Sequence, residues 1–298
     1  SLIGLVENRE LWATEAAGMN DLGEVRQGWD FIKEWVTHQR PDQIVEAIEE
    51  ACEAGHPAND VDGVFMCCAS TRGDDANQWR LYASGGRGYA VELDAGSALA
   101  ALAPQDKAPK DRSTSGRSAA GRIFHTLGNT ASVSPWIHVL YTDEEKRAAL
   151  DGLLENARSA WERMKQRGFD GQEDFDIRSQ EFRGSLMTDV ARAAQLMKSE
   201  GFAGENEVRV IATAYFGLVS RFRPTSSGVV RYVRLTGAPA DQLRDALVYR
   251  CELGDDMHVP VTSVRIGPLI NAQNNERTIR ALLNRNRLRD AHVESSDV

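Results

Sequence analysis

The segment ENEVRVIA, residues 205–212, carries the strongest structural signal in this sequence. Side chains alternate between the two faces of a β-strand, so Glu205, Glu207 and Arg209 are predicted to share one face while Val210 points into the core. Two carboxylates and a guanidinium are too polar for a buried face unless they pair or bind a ligand. Two interpretations stay open: a solvent-facing edge strand with an ion pair along its face, or a catalytic strand whose carboxylates hold a substrate.

Other short apolar or alternating runs predict further strands. They lie at residues 11–14, 63–70, 88–94, 136–141, 229–235, 247–252 and 263–267. They alternate irregularly with helical segments, which favours an α+β fold with a mixed or antiparallel sheet over a doubly wound parallel sheet.

Two long helices are predicted as a helical pair at about residues 142–200, forming a long helical insertion. Thr142 and Glu145 have the spacing of a capping box at the start of the first helix. A final helix is predicted at 276–288. Residues 103–121 lose all periodicity and are predicted to form a mobile loop. We expect the chain, residues 1–298, to form a single domain.

The composition excludes several classes of protein. The 298 residues are 42% hydrophobic, which is incompatible with intrinsic disorder, and 44 acidic against 35 basic residues give a net charge of −9. A globally basic nucleic-acid-coating protein is therefore excluded, although a local basic patch is not. No apolar run approaches the roughly 18 residues of a membrane-spanning helix, so no membrane partner is expected. Four cysteines, two of them adjacent, fit a reducing compartment, and a cytoplasmic location is expected.

A second group of polar residues follows the predicted strand at 63–70. Ser70 and Thr71 stand at its end, and Gln78 lies on a short helix soon after. Polar residues above a strand end commonly carry chemistry. An amphipathic turn of helix would place Gln78, Trp79 and Tyr82 beside this strand end, but the simpler expectation for Trp79 and Tyr82 is that they fill the core. The glycine-rich residues 84–88 are typical either of a phosphate-wrapping loop or of a hairpin turn.

Metal binding has little support in the sequence. The six histidines are scattered, and none is spaced with a cysteine or another histidine as metal ligands are. No metal is predicted. The closing helix carries several arginines, which fit a solvated face or a surface for RNA or phosphate.

Taken together, these segments resemble the prokaryotic family called domain of unknown function 2971. The motifs that carry the resemblance are Leu11-Trp12-Ala13-Thr14, Cys68-Ala69-Ser70, Gln78-Trp79-Arg80-Leu81-Tyr82, the run from Gly86 to Asp94, Glu205-x-Glu207-x-Arg209 and Ile266-Gly267-Pro268. The family name implies kinship and supplies no reaction.

A looser similarity is to mono-ADP-ribosyltransferases, which carry a Ser or Thr on a second strand and Glu-x-Glu on a third. Ser70 and Thr71 match the second element, and Glu205-x-Glu207 matches the third. The basic or aromatic first-strand residue is not identifiable and is expected before Ser1. This similarity implies an ADP-ribosyltransferase-like core with NAD as substrate, with Glu207 holding the ribose and Glu205 selecting the acceptor. It further implies a macromolecular acceptor, a toxin or antiviral role, and an antitoxin or defence partner.

The chemistry of that hypothesis is coherent, because a carboxylate at the ribose stabilises the oxocarbenium-like state formed when the nicotinamide bond breaks. Two alternatives remain. One is a non-catalytic nucleotide- or RNA-binding module acting through Arg80, Arg87, Arg209 and the terminal arginines. The other is a metal-dependent nuclease that uses Asp74, Asp75 and Glu207.

Overall fold

The computed structural model describes residues 1–16, 22–54, 63–102, 131–214, 220–225, 228–237, 249–250 and 257–298. The loop predicted at 103–121 lies outside these residues, as does most of the strand predicted at 247–252. The chain divides into two compact units. The first contains Ser1–Glu15, Phe65–Ile137 and Glu205–Val298, and the second contains Ala16–Val64 and His138–Gly204. The single-domain organisation remains a prediction.

The described strands, in chain order, are β1 Leu11–Glu15, β2 Gly63–Ser70, β3 Tyr89–Leu93, β4 Leu99–Leu102, β5 Ala131–Val133, β6 Ile137–His138, β7 Glu207–Ala214, β8 Arg221–Thr225, β9 Gly228–Gly237, β10 Tyr249–Arg250, β11 Val261–Ile266 and β12 His292–Ser295. The larger sheet has the order β10-β4-β9-β1-β2-β7-β5, with β8 paired to β9. The β10–β4 pair is parallel and β1 is antiparallel to both neighbours. This is the predicted α+β class with a mixed sheet.

The core of the larger sheet contains the apolar residues that alternate along its strands. Val210 and Ala212 of β7 pack with Phe65 of β2 and Val233 of β9, and each is at most 1% exposed. The prediction that Val210 points into the core is confirmed. Burial of this kind contributes about 25 cal/mol per Å² of apolar surface.

Two expectations for residues 205–212 are wrong. The strand begins at Glu207, and Glu205 ends a 3₁₀ helix, Glu200–Glu205, so Glu205 does not share the strand face with Glu207 and Arg209. The backbone turns at Asn206, whose φ is +46°. The strand is also not an edge strand, because β7 lies between β2 and β5.

The smaller sheet, β12-β11-β3, has its own apolar core. Val264 and Ile266 of β11 pack with residues from two helices, α1 (Leu2–Asn8) and α7 (Ala272–Arg285). The closing helix starts four residues earlier than predicted. Asn271 caps its first turn by accepting a hydrogen bond from the amide of Asn274.

The described part of the second unit contains four α-helices: α2 Leu22–Val36, α3 Gln43–Ala54, α5 Asp143–Gln166 and α6 Gly171–Ala194. The two long helices confirm the predicted helical pair. The capping box is present, because Glu145 N donates to Thr142 Oγ1 and Thr142 N donates to Glu145 Oε2. Trp161 of α5 contacts the rings of Phe175 and Phe182 on α6.

Within the described ranges, no helix is both long enough and apolar enough to cross a membrane.

Candidate functional site

The end of β2 and the start of β7 lie side by side in the first unit. The amide of Thr71 donates to the carbonyl of Asn206 at 2.9 Å, and the Thr71 hydroxyl donates to the same oxygen at 3.3 Å. Residues that are 135 positions apart in the chain are thereby joined. This contact creates the cluster that we call the strand-end site, formed by Ser70, Thr71, Gln78, Tyr82 and Glu205.

Glu205 is the centre of the strand-end site. Its backbone carbonyl accepts hydrogen bonds from Ser70 Oγ at 2.8 Å and Gln78 Nε2 at 3.3 Å. Its carboxylate Oε1 accepts a hydrogen bond from the Tyr82 hydroxyl at 3.3 Å. Backbone and side chain are thus held by separate donors, so the carboxylate has a defined position at the surface.

Tyr82 belongs to this site rather than to the core, contrary to the sequence expectation. It is 69% exposed, whereas Trp79 is 4% exposed and does fill the core as expected. Both residues lie on α4 (Ala76–Tyr82), where Gln78 and Tyr82 are four positions apart and therefore share a face. That spacing was the signal that could have identified Tyr82 as a site residue.

Asp75 positions the helix that carries Gln78. Its side chain caps α4 by accepting hydrogen bonds from the amides of Asn77 and Gln78. The hydrogen bond from the Gln78 backbone, followed by that from Asn77, lowers the pKa of Asp75. The carboxylate is therefore occupied with capping, as expected at a helix N-terminus.

Asp74 joins α4 to the last residues of the chain. Its carboxylate accepts hydrogen bonds from Trp79 Nε1 at 2.5 Å, from Ser296 Oγ at 2.8 Å and from the amide of Asp297 at 2.8 Å. Desolvation by itself would raise the pKa of Asp74, but these three hydrogen bonds and the charge of Arg265 outweigh it and lower the pKa.

Glu207 and Arg209 form a buried ion pair on one face of β7. Arg209 Nε and Nη2 donate to the two carboxylate oxygens of Glu207 at 2.7 and 2.9 Å. The side chains are 9% and 3% exposed, respectively. The pair therefore satisfies the polar face of β7 internally.

The candidate arginines are not gathered at one place. Arg80 on α4 and Arg87 in the loop before β3 are exposed, whereas Arg209 is 2% exposed within its ion pair. The glycine-rich loop around Arg87 packs on another turn, because Gly267 N donates to Gly88 O and Leu269 N donates to Gly86 O, both at 3.0 Å. This contact favours the turn interpretation of residues 84–88.

Among the described residues, no group of three or more His, Cys, Asp or Glu side chains is arranged to hold a metal ion. The three carboxylates of the nuclease alternative are engaged separately: Asp74 by Trp79 and the chain end, Asp75 by the α4 amides, and Glu207 by Arg209.

Comparison with known proteins shows a family resemblance over part of the chain and no reaction. A family model described as Protein of unknown function (DUF2971) matches residues 78–210. This segment includes Gln78, Tyr82, Glu205 and the Glu207–Arg209 pair, while Ser70 and Thr71 precede it. Searches of curated proteins and of solved structures returned no match. Over residues 78–210 the chain resembles the family described as a protein of unknown function, DUF2971, as its motifs predict.

Proposed function

We propose that this protein is an ADP-ribosyltransferase-like enzyme that consumes NAD and modifies a macromolecule, with Glu205 as its reactive carboxylate. The observation that supports the proposal is the strand-end site, where Ser70, Gln78 and Tyr82 converge on Glu205. The half-exposed carboxylate of Glu205 lies between a strand end and a helix, a position that commonly carries chemistry.

The burial of Glu207 assigns it a different role within the proposal. Both of its oxygens accept hydrogen bonds from Arg209 in a desolvated pair, so contact with a ribose would have to break one of these buried hydrogen bonds. Glu207 is therefore proposed as a positioning residue that fixes the start of β7. The ribose contact that the similarity to mono-ADP-ribosyltransferases implies for Glu207 is therefore proposed for Glu205, which keeps its role beside the acceptor.

The proposed reaction breaks the bond between the ribose C1′ and the nicotinamide nitrogen, and the electron pair leaves with nicotinamide. The positive charge that develops on the ribose is stabilised by the carboxylate of Glu205, as in other glycosidic cleavage. The acceptor forms the new bond to C1′ and releases its proton, which Glu205 is placed to accept.

The remaining site residues have supporting roles. Ser70 and Gln78 hold the Glu205 backbone, and the exposed hydroxyl of Thr71 is available to substrate. Arg80 and Arg87 are exposed cations that can meet the pyrophosphate of NAD. A toxin or antiviral setting in the cytoplasm, with an antitoxin or defence partner, is part of the same proposal.

The experiment is nicotinamide release from NAD by the purified chain, with label transfer from adenine-labelled NAD into a cell extract. Glu205→Gln is expected to lower release by at least about a hundredfold, since it removes the charge that stabilises the transition state. The matched control is Glu200→Gln, an exposed glutamate at the other end of the same 3₁₀ helix, which should retain activity. Release that is unchanged in Glu205→Gln, or absent from the wild type, overturns the proposal.

The alternative is a non-catalytic nucleotide- or RNA-binding module. The observation that favours it is the exposure of Arg80 and Arg87, neither of which contacts a carboxylate within the part of the chain that the structure describes. A module of this kind binds RNA with a steep dependence on salt, because each phosphate contact releases counterions. RNA binding that weakens strongly with salt, without nicotinamide release, would support it.

A further inference from the structure

A second polar surface lies in the first unit, on strands β1, β8 and β9. Trp12 of β1 is 44% exposed and its ring centre lies 4.9 Å from that of Tyr232 on β9. The guanidinium of Arg223, on β8, lies 5.4 Å from the centre of the Trp12 ring. Arg223 Nη2 also donates to Thr14 Oγ1 at 3.0 Å. An exposed indole and an arginine are thereby held next to each other; we call this arrangement the Trp12 surface.

The Trp12 ring is held in place by a second layer of contacts. Its Nε1 donates to Glu10 Oε1 at 2.8 Å, and the other oxygen of Glu10 accepts a hydrogen bond from Arg234 Nη1 at 3.2 Å. Tyr232 supports the ring from the neighbouring strand. The indole is therefore fixed before any ligand arrives, which lowers the entropy lost when a ligand stacks on it.

Arg223 on β8 differs from the arginines of the neighbouring strand β9. Arg231 pairs with Glu15 and Arg234 pairs with Glu10. Arg223 has no carboxylate partner among the described residues, and its Nε is buried without a hydrogen-bond acceptor there. Arg221 lies two positions earlier, on the same face of β8, and is exposed. The surface thus offers positive charge beside an aromatic ring within a chain whose net charge is −9.

We infer that the Trp12 surface binds a nucleobase joined to a phosphate, with the base against Trp12 and the phosphate at Arg223. Nucleobases stack on exposed indoles, and a guanidinium with free donors matches the geometry of a phosphate. Arg221 adds a second, more exposed cation for the same phosphate. The same chemistry occurs in a free nucleotide and in single-stranded nucleic acid, and these two sources can be separated by experiment.

This inference rests on residues that take no part in the proposed reaction at Glu205. Nucleotide binding is measured without turnover, so loss of the proposed activity does not remove it. The Glu205→Gln variant is expected to bind AMP as the wild type does.

The test is a calorimetric titration of the full chain with AMP, adenosine and inorganic phosphate. Arg223→Gln and Trp12→Leu are each expected to weaken AMP binding by about tenfold or more, since each removes one half of the contact. Arg223→Lys keeps the positive charge and should therefore lose less AMP affinity than Arg223→Gln. The control is Arg163→Gln, an exposed arginine on α5, which should bind AMP within about twofold of the wild type. Thermal melting identifies any variant that fails to fold.

The pattern of AMP affinities among these variants supports or overturns the inference. AMP binding that is weakened by both site variants and not by Arg163→Gln supports the inference. A single-stranded oligonucleotide that binds much more tightly than AMP, with a steep salt dependence, assigns the surface to nucleic acid. The inference is overturned if AMP does not bind, or if inorganic phosphate binds as tightly as AMP. It is also overturned if neither Trp12→Leu nor Arg223→Gln changes the affinity for AMP.

Discussion

Arg209 donates two hydrogen bonds to the carboxylate of Glu207, two residues earlier on β7, in a pair that is almost inaccessible to water. Arg209 Nη1 also lies 3.9 Å from the sulfur of Met66 on the neighbouring strand β2. Two of the three charged residues of the 205–209 motif are therefore bound to each other inside the fold. Its burial leaves Glu205 as the accessible carboxylate of the Glu-x-Glu block.

Replacement of Glu207 should destabilise the protein. Glu207→Gln removes the charge that faces the buried guanidinium of Arg209, and loss of one partner of a buried pair costs about 3–5 kcal/mol. Urea unfolding measures the change. The double variant Glu207→Leu with Arg209→Met should lose much less stability than the sum of the losses in the two single variants, because both buried charges are removed together. A Glu207→Gln variant as stable as the wild type would contradict the buried pair.

Removal of the Tyr82 hydroxyl should affect activity and leave stability unchanged. Tyr82→Phe removes the hydrogen bond to Glu205 Oε1 and keeps a ring that is already 69% exposed. We expect nicotinamide release to fall about tenfold, and the unfolding free energy to stay within about 0.5 kcal/mol of the wild type. The control is Leu81→Ala, the adjacent exposed residue. An equal loss of release in both variants would show that the hydroxyl has no specific role.

Asp74 should make stability depend on pH in the acid range. Its pKa is lowered from 3.8 in the folded state, so the unfolded chain takes up the proton first as the pH falls. The stabilisation is fully present above about pH 3.8 and is lost as the pH drops through the lower folded pKa. Asp74→Asn should lower stability at neutral pH by about 1–3 kcal/mol and flatten the acid slope.

The measurement for Asp74 is the unfolding free energy from pH 7 down to pH 2, compared with that of Asp290→Asn, an exposed aspartate near the end of the chain. The same slope in wild type and Asp74→Asn would mean that the contacts with Trp79, Ser296 and Asp297 contribute nothing to acid stability.

A close helix approach in the second unit should make one glycine irreplaceable. A Cβ at Gly28 of α2 would lie 2.1 Å from the carbonyl oxygen of Ala194, so Gly28→Ala should cost about 1–3 kcal/mol or more. Gly184 of α6 has open space around it, and Gly184→Ala should stabilise by about 0.5–1 kcal/mol through helix propensity. Chemical unfolding of both variants measures the change in unfolding free energy, which should be negative for Gly28→Ala and positive for Gly184→Ala. Equal changes in the two variants would contradict the close approach at Gly28.

Local patterns in the sequence predicted local structure well. The apolar run at 63–70 is β2 with the same bounds, and the Thr142–Glu145 spacing forms the capping box that starts α5. Such features depend on residues within a few positions of one another, so their physics is contained in a short window. The contact between Ser70 and Glu205 was predicted only as a hypothesis, through a family resemblance.

The sequence by itself determined the α+β class, the two long helices and the charged motif at 205–209. Only the tertiary structure decided which charge is buried and which is exposed. The strand begins at Glu207 because the backbone turns at Asn206, and its position between β2 and β5 desolvates the Glu207–Arg209 pair. Burial depends on which strands become neighbours, and that pairing joins residues more than a hundred positions apart, beyond the range of any local pattern.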